Sequence, residues 1–357
     1  MSKEMLRVLV VDDSALMRKL IPQIIERDSS IHVVGTAMDG AFALKKIEEL
    51  QPHVITLDLE MPRMDGMETL RAIMRQSRTP VIVVSAHTTQ GASATFKALA
   101  LGAFDFVAKP HDALSANMDA IATDLINKIK VAAETRISKA QPEVPTSRRN
   151  KKSPEKRLPA RRVVAIGVST GGPNALQYVL SQLSADFPAA IVVVQHMPEG
   201  FTELFARRLD ECCAIDVKEA ASGDLLLAGR ALICPGNRHM RVKRMPLGNI
   251  VVLSEEPKIN GHRPSVDVLY RSVAHEFGRD AVGLIMTGMG EDGADALGEI
   301  RKMGGMTIAQ DEESCVVYGM PRAAIDRGSV VRVVPLDALA NTLVAQCAER
   351  SRVLTKV

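Results

Sequence analysis

The chain has 357 residues, 46% of them hydrophobic and 24% charged, the proportions of an ordinary globular protein with room for two domains. No apolar run approaches the roughly 20 residues that a membrane helix needs, so direct membrane insertion is not expected. The formal net charge of +3 is concentrated in residues 147–162, which hold eight Lys or Arg against one Glu. The rest of the chain is therefore net −4, and no folded face is required to be basic, which argues against nucleic acid as a partner. Five cysteines, odd in number and with no C-x-x-C pair, predict reduced thiols in a cytoplasmic protein.

Over residues 1–125, apolar runs at 6–11, 31–35, 54–57, 81–84 and 104–107 alternate with helical stretches. That alternation predicts a five-stranded parallel sheet covered by helices on both faces, with functional groups gathered where the strands end. The strand ends carry Asp12 and Asp13, then Asp58, Ser85, and Lys109-Pro110. Three carboxylates converging at one edge repel each other unless a cation sits among them, and oxygen ligands without His or Cys suit Mg²⁺. Lys109 adds a positive charge able to hold a phosphoryl oxygen.

The motifs Val11-Asp12-Asp13-Ser14, Asp58-Leu59-Glu60-Met61-Pro62-Arg63-Met64-Asp65-Gly66, Ser85-Ala86 and Lys109-Pro110 agree in order and spacing with a response-regulator receiver domain, which this part of the chain resembles. The resemblance implies a flavodoxin-like fold and phosphorylation of Asp58 by a sensor histidine kinase. It further implies Mg²⁺ held by Asp12, Asp13 and Asp58, and a switch formed by Ser85, Phe106 and Lys109. Pro22 falls inside the expected first helix and should kink or shorten it.

Residues 126–160 lose hydrophobic periodicity, are interrupted by Pro142, Pro145, Pro154 and Pro159, and turn basic in their second half. They are expected to be a flexible tether.

A second α/β pattern occupies residues 161–357, with strands expected at 163–166, 190–194, 231–233, 250–253, 282–286, 307–309 and 330–334. Helices are expected near 173–183, 200–210, 265–277, 292–302 and 336–349. Gly167-Val168-Ser169-Thr170-Gly171 lies between a strand and a helix that starts near Pro173. There G-x-S-x-G reads as a nucleophile elbow, and the helix start offers free N–H groups to an oxyanion.

A serine at an elbow needs a base, and the base needs an orienting acid. His196 directly follows the run 191–194 and is the first choice; His262, in the polar loop 260–264, is the second. For the acid, the run 282–286 leads into Thr287-Gly288-Met289-Gly290-Glu291-Asp292-Gly293. Asp292 fits, although it could equally cap its own helix, and Asp295 is nearby. Backbone N–H groups of Thr170, Gly171, Met289 and Gly290 are candidate oxyanion donors.

Stretches 166–173, 195–202, 234–236, 262–267 and 284–293 make this half similar to the catalytic domain of the chemotaxis protein-glutamate methylesterases. That resemblance implies a doubly wound, mostly parallel α/β esterase domain and a Ser169–His196–Asp292 triad that needs no cofactor. It also implies demethylation of glutamate γ-methyl esters on chemoreceptor cytoplasmic helices, with release of methanol, and deamidation of particular receptor glutamines. Phosphorylation of the receiver would relieve inhibition of the esterase.

Two other outputs compete. A DNA-binding output is favoured by the basic tether but lacks a helix-turn-helix pattern or a basic helix. A nucleotide-binding output would use the glycine turn, but Ser169 stands where G-x-G-x-x-G requires its second glycine.

Overall fold

A computed structural model describes residues 5–86, 88–109, 118–134 and 157–348. The chain divides into two compact units, Met1–Ala140 and Gln141–Val357.

In the first unit, β1 (Leu6–Val11), β2 (Ile31–Ala37), β3 (Val54–Leu57), β4 (Val81–Ser85) and β5 (Asp105–Ala108) form one parallel sheet in the order β2-β1-β3-β4-β5. Helices α1 (Met17–Ile25), α2 (Gly40–Leu50), α3 (Gly66–Gln76), α4 (Thr89–Ala100) and α5 (Met118–Glu134) follow the strands in turn. Strands β3, β4 and β5 are buried at every position, as a sheet covered on both faces requires. Pro22 lies within α1, which is only nine residues long.

The second unit contains a seven-stranded sheet in the order β14-β13-β12-β6-β7-β9-β8, with every pairing parallel. Its strands are β6 (Val163–Val168), β7 (Ala190–Gln195), β8 (Asp216–Glu219), β9 (Arg230–Ile233), β12 (Ala281–Ile285), β13 (Met306–Gln310) and β14 (Arg332–Val334). A separate antiparallel pair joins β10 (His239–Lys243) to β11 (Ile250–Ser254). The helices are α6 (Gly172–Ser181), α7 (Phe201–Cys212), α8 (Val266–Phe277), α9 (Ala294–Lys302), α10 (Met320–Asp326) and α11 (Leu336–Ala348).

The chain winds outward from β6 through β7 on one side and returns through α8 to β12 on the other. Ligands in open parallel sheets bind beyond the carboxyl ends of strands where the winding reverses, here β6 and β12. Beneath that edge a core cluster includes Val163, Ala165, Val192, Leu269, Tyr270, Val273, Leu297 and Ile300, all with essentially no exposed surface. Burying each Leu, Val or Ile is worth about 1.5–3 kcal/mol, enough to hold the strand ends in fixed register.

Three expectations change. The tether expected over 126–160 overlaps described structure at both ends, because α5 runs on to Glu134 and Arg157 bonds to the Ala228 and Ala185 carbonyls of the second unit. The intervening residues 135–156 lie outside the described residues. The strand expected at 250–253 is present but pairs in the small hairpin instead of the main sheet. Strands β8 and β10 and the seven-residue α10 were not anticipated.

Candidate active site

Sheet register alone brings the serine and histidine together. Val168 pairs with Gln195 across β6 and β7, so Ser169 and His196 are the next residues on adjacent strands, and the His196 N–H donates to the Val168 carbonyl at 3.1 Å. On the other side of β6, the Ser169 N–H donates to the Thr287 carbonyl at 3.0 Å and the Met286 N–H to the Gly167 carbonyl at 2.9 Å. Ser169 thus sits half-buried between the two strand ends. The turn then closes with the Gly172 N–H donating to the Ser169 carbonyl at 2.8 Å. Gly171, at φ 74°, caps α6; a side chain there would be strained and would strike Val316.

His196 Nε2 lies 2.8 Å from Asp292 Oδ2. Its Nδ1 is buried and has no hydrogen-bond partner among the described residues. The serine–histidine hydrogen bond is therefore not yet made, as is common before substrate arrives. Asp292 does not cap its own helix, which starts from Gly293. Its carboxylate lies on the N-terminus of α8, accepting the Ser265 hydroxyl at 2.8 Å and the N–H groups of Val266 at 2.7 Å and Asp267 at 3.3 Å. Burial pushes its pKa up, but the His196 bond and charge together with the α8 donors outweigh this and hold it below the ordinary carboxylate value. Asp295, the alternative acid, is instead exposed and pairs with Arg327 at 2.9 Å.

The N–H groups of Thr170, Gly171, Met289 and Gly290 donate no hydrogen bond among the described residues, which leaves them available to an anion. Several supporting residues escaped sequence reasoning. The Thr287 hydroxyl donates to the Thr170 carbonyl at 2.9 Å and accepts the Val317 N–H at 3.0 Å. Gln195 Nε2 bridges the Ser169 and His196 carbonyls at 3.0 and 3.1 Å. The Gln310 side-chain Oε1 accepts the Thr287 N–H at 3.0 Å. His262, the second-choice base, lies against His196 with ring centroids 4.0 Å apart.

In the first unit the acidic residues also converge. One carboxylate oxygen from each of Asp12, Asp13 and Asp58 falls within 4.8 Å of the others. Lys109 Nζ sits 2.7 Å from Asp58 Oδ2 and 3.0 Å from Asp12 Oδ2. The buried Asp12 Oδ2 nevertheless has no well-formed hydrogen bond, so this donor set fits a hard divalent cation. Burial raises the Asp58 pKa against the pull of Lys109, with Asp12 adding to the rise; burial lowers that of Lys109, but Asp58 and Asp12 more than reverse it. Ser85 is buried at the end of β4, and its carbonyl accepts the Lys109 N–H at 2.7 Å. Phe106 is buried, edge-on to Phe96 at 6.4 Å between centroids, with Lys128 over its ring at 5.5 Å.

A receiver-type sheet with an acidic site, carried in one chain with a parallel α/β unit whose strand ends present serine, histidine and aspartate, defines a class: a response regulator with a hydrolase output. The family models for the response regulator receiver domain, over residues 8–119, and for CheB methylesterase, over residues 164–343, both match. The chain belongs to the CheB methylesterase family. It is 64% identical over 352 residues to the protein-glutamate methylesterase/protein-glutamine glutaminase 2 of Koribacter versatilis, covering 96% of each chain. A Pyrococcus horikoshii protein-glutamate methylesterase/protein-glutamine glutaminase is 46% identical, with 95% of this chain and 93% of the relative covered. The crystal structure of the Thermotoga maritima CheB methylesterase catalytic domain superposes with a TM-score of 0.50 at 39% identity, covering 51% of this chain and 97% of that one. Among the described residues no helix is long and apolar enough to cross a membrane.

Proposed function

We propose that the chain is a phosphorylation-regulated serine hydrolase that removes γ-methyl esters from glutamates of chemoreceptors and deamidates particular receptor glutamines. Full-length relatives bearing both activities in their names support this reading. The observation that carries it is the register pair Val168–Gln195, which sets Ser169 beside His196 while Asp292 holds the far side of the imidazole.

The chemistry follows from the open nitrogen. His196 Nδ1 takes the Ser169 proton as the oxygen attacks the ester carbonyl. The N–H groups of Thr170, Gly171, Met289 and Gly290 are the candidate donors to the negative charge that develops on the carbonyl oxygen. The imidazolium, balanced by Asp292, gives its proton to the leaving methoxide, and methanol departs. Water then attacks the acyl-enzyme with His196 again as base, releasing glutamate and free Ser169. With a glutamine substrate the same path expels ammonia. A neutral carbonyl of this kind needs no metal or organic cofactor.

In the receiver, Asp58 accepts a phosphoryl group from a sensor histidine kinase. Asp12, Asp13 and Asp58 would hold Mg²⁺, which supplies charge neutralisation for the incoming phosphoryl oxygens. Lys109, already 2.7 Å from Asp58 Oδ2, would pair with a phosphoryl oxygen there, and Ser85 and Phe106 would register the change. The protein acts in the cytoplasm, where kinase, phosphodonor and receptor helices meet. The test is chemical: a receptor cytoplasmic fragment should yield methanol from its methylated glutamates and ammonia from its susceptible glutamines. Release of neither would refute the assignment.

A further inference from the structure

His262 has no role in the triad, yet its ring lies parallel to that of His196, with 2° between the planes and 4.0 Å between centroids. His196 has need of such a neighbour. Its imidazole is tied by one hydrogen bond, from Nε2 to Asp292, and Nδ1 has none. A ring held at one corner can tilt about that bond, and tilting would move Nδ1 relative to the Ser169 hydroxyl that it must meet in the triad reading.

The loop bearing His262 is itself fixed on both sides. Asn260 donates to Asp267 Oδ2 at 3.0 Å, and the N–H groups of Ile259 and His262 exchange bonds with each other's carbonyls at 3.0 and 2.8 Å. Arg263 clamps the far side, donating to Asn237 Oδ1 at 3.0 and 2.7 Å and to the Glu255 carbonyl at 2.8 Å. A stacking surface this constrained is suited to fixing the plane of a neighbouring ring.

We infer that His262 is a positioning residue, which holds the His196 imidazole in the plane that points Nδ1 at Ser169 and acts only through His196. The inference rests on the triad reading above. It differs from general acid–base action by His262, because a flat ring is needed and a titratable nitrogen is not.

The test uses the full chain and methanol release. His262→Ala should lower kcat by about 10- to 100-fold with KM nearly unchanged, the scale of loss expected from a misplaced catalytic group. His262→Phe, which keeps a flat ring, should restore most of kcat. In a His196→Ala background, adding His262→Ala should cost nothing further, since the residue it orients is gone. A His262→Phe enzyme as slow as His262→Ala would overturn the inference in favour of chemistry at the His262 nitrogens, and wild-type kcat in His262→Ala would make the stack incidental. Should His262→Ala fail to fold, the His262→Phe rate still decides, because the inference requires it to approach wild type. Ser169→Ala in the same assay tests the triad separately: its retained activity would refute the nucleophile whatever the His262 variants show.

Discussion

Asp292 and Asp267 exchange helix ends. Asp292, just before α9, accepts the first N–H groups of α8, while Asp267, in the first turn of α8, accepts the Ala296 N–H of α9 at 3.1 Å. Each carboxylate meets the positive end of the other's helix. The two also feel each other: the Asp267 pKa is raised by burial and then by the charge of Asp292, whereas Asp292 is held low by His196 and the α8 donors. The pair is thus biased so that the residue touching His196 keeps the negative charge.

This arrangement separates Asp292 from its acidic neighbour. Asp292→Asn should reduce turnover by roughly 10³- to 10⁴-fold, because an amide favours the wrong imidazole tautomer. Glu291 is exposed and pairs with Arg327 at 2.6 Å, so Glu291→Gln should change turnover little. Equal losses in the two variants, measured by methanol release, would replace the triad with a diffuse acidic environment.

Acid sensitivity follows from the same carboxylate. A pKa lower in the folded state means that Asp292 stabilises the fold throughout the range above its unfolded value, near 3.8, and that this contribution fades as pH falls through the lower folded value. Asp292→Asn should flatten the decline in thermal midpoint as pH is lowered through about 4 towards 2. An unchanged decline would show that Asp292 is not held low.

Gly288 packs closely against Ser169, the proposed nucleophile. A Cβ there would lie 2.8 Å from Ser169 Cβ and 2.4 Å from Met320 Sδ, distances at which atoms must shift. Gly288→Ala should therefore cut kcat by about 100-fold by displacing Ser169. Circular dichroism checks that the variant remains folded, and unimpaired turnover would contradict the packing around Ser169.

Much of this was legible because strand and helix periods differ and because functional residues follow strands. Ser169, His196, Asp12, Asp58 and Lys109 each stand just past an apolar run, and the structure places them so, whereas Asp292 stands just before α9, beyond the loop that follows β12. What stayed hidden depends on partners distant in the chain. Nothing local shows that Asp292 caps α8 instead of its own helix, or that Thr287 joins the turn after Ser169 to Val317. Strand β8 (Asp216-Val217-Lys218-Glu219) is short, polar and at a sheet edge, so it carries little hydrophobic signal. Residues 250–253 form a short apolar run, as a strand can, but such a run does not say which sheet the strand joins. Ala122, Leu125, Ile129 and Ala132 recur at helical spacing and are buried, so α5 can be read on to Glu134, past the boundary placed at 126.

Regulation has its own test. Phosphorylation adds about two negative charges beside Asp12 and Asp13, and the Lys109 contacts to Asp58 and Asp12 must rearrange to meet them. Asp58→Asn should keep the basal esterase rate and lose stimulation by acetyl phosphate plus Mg²⁺. Stimulation that survives in Asp58→Asn would place the phosphoacceptor elsewhere.

The central claim is that Ser169 is the nucleophile of an esterase, and methanol release from a methylated chemoreceptor fragment tests it most directly. Ser169→Ala should remain folded and lose about 10⁶-fold in turnover, since triad members act as a unit. Thr170→Ala, which removes the adjacent hydroxyl, should lose far less. Methanol release by Ser169→Ala at a rate near wild type, or inactivity confined to Thr170→Ala, would contradict the account.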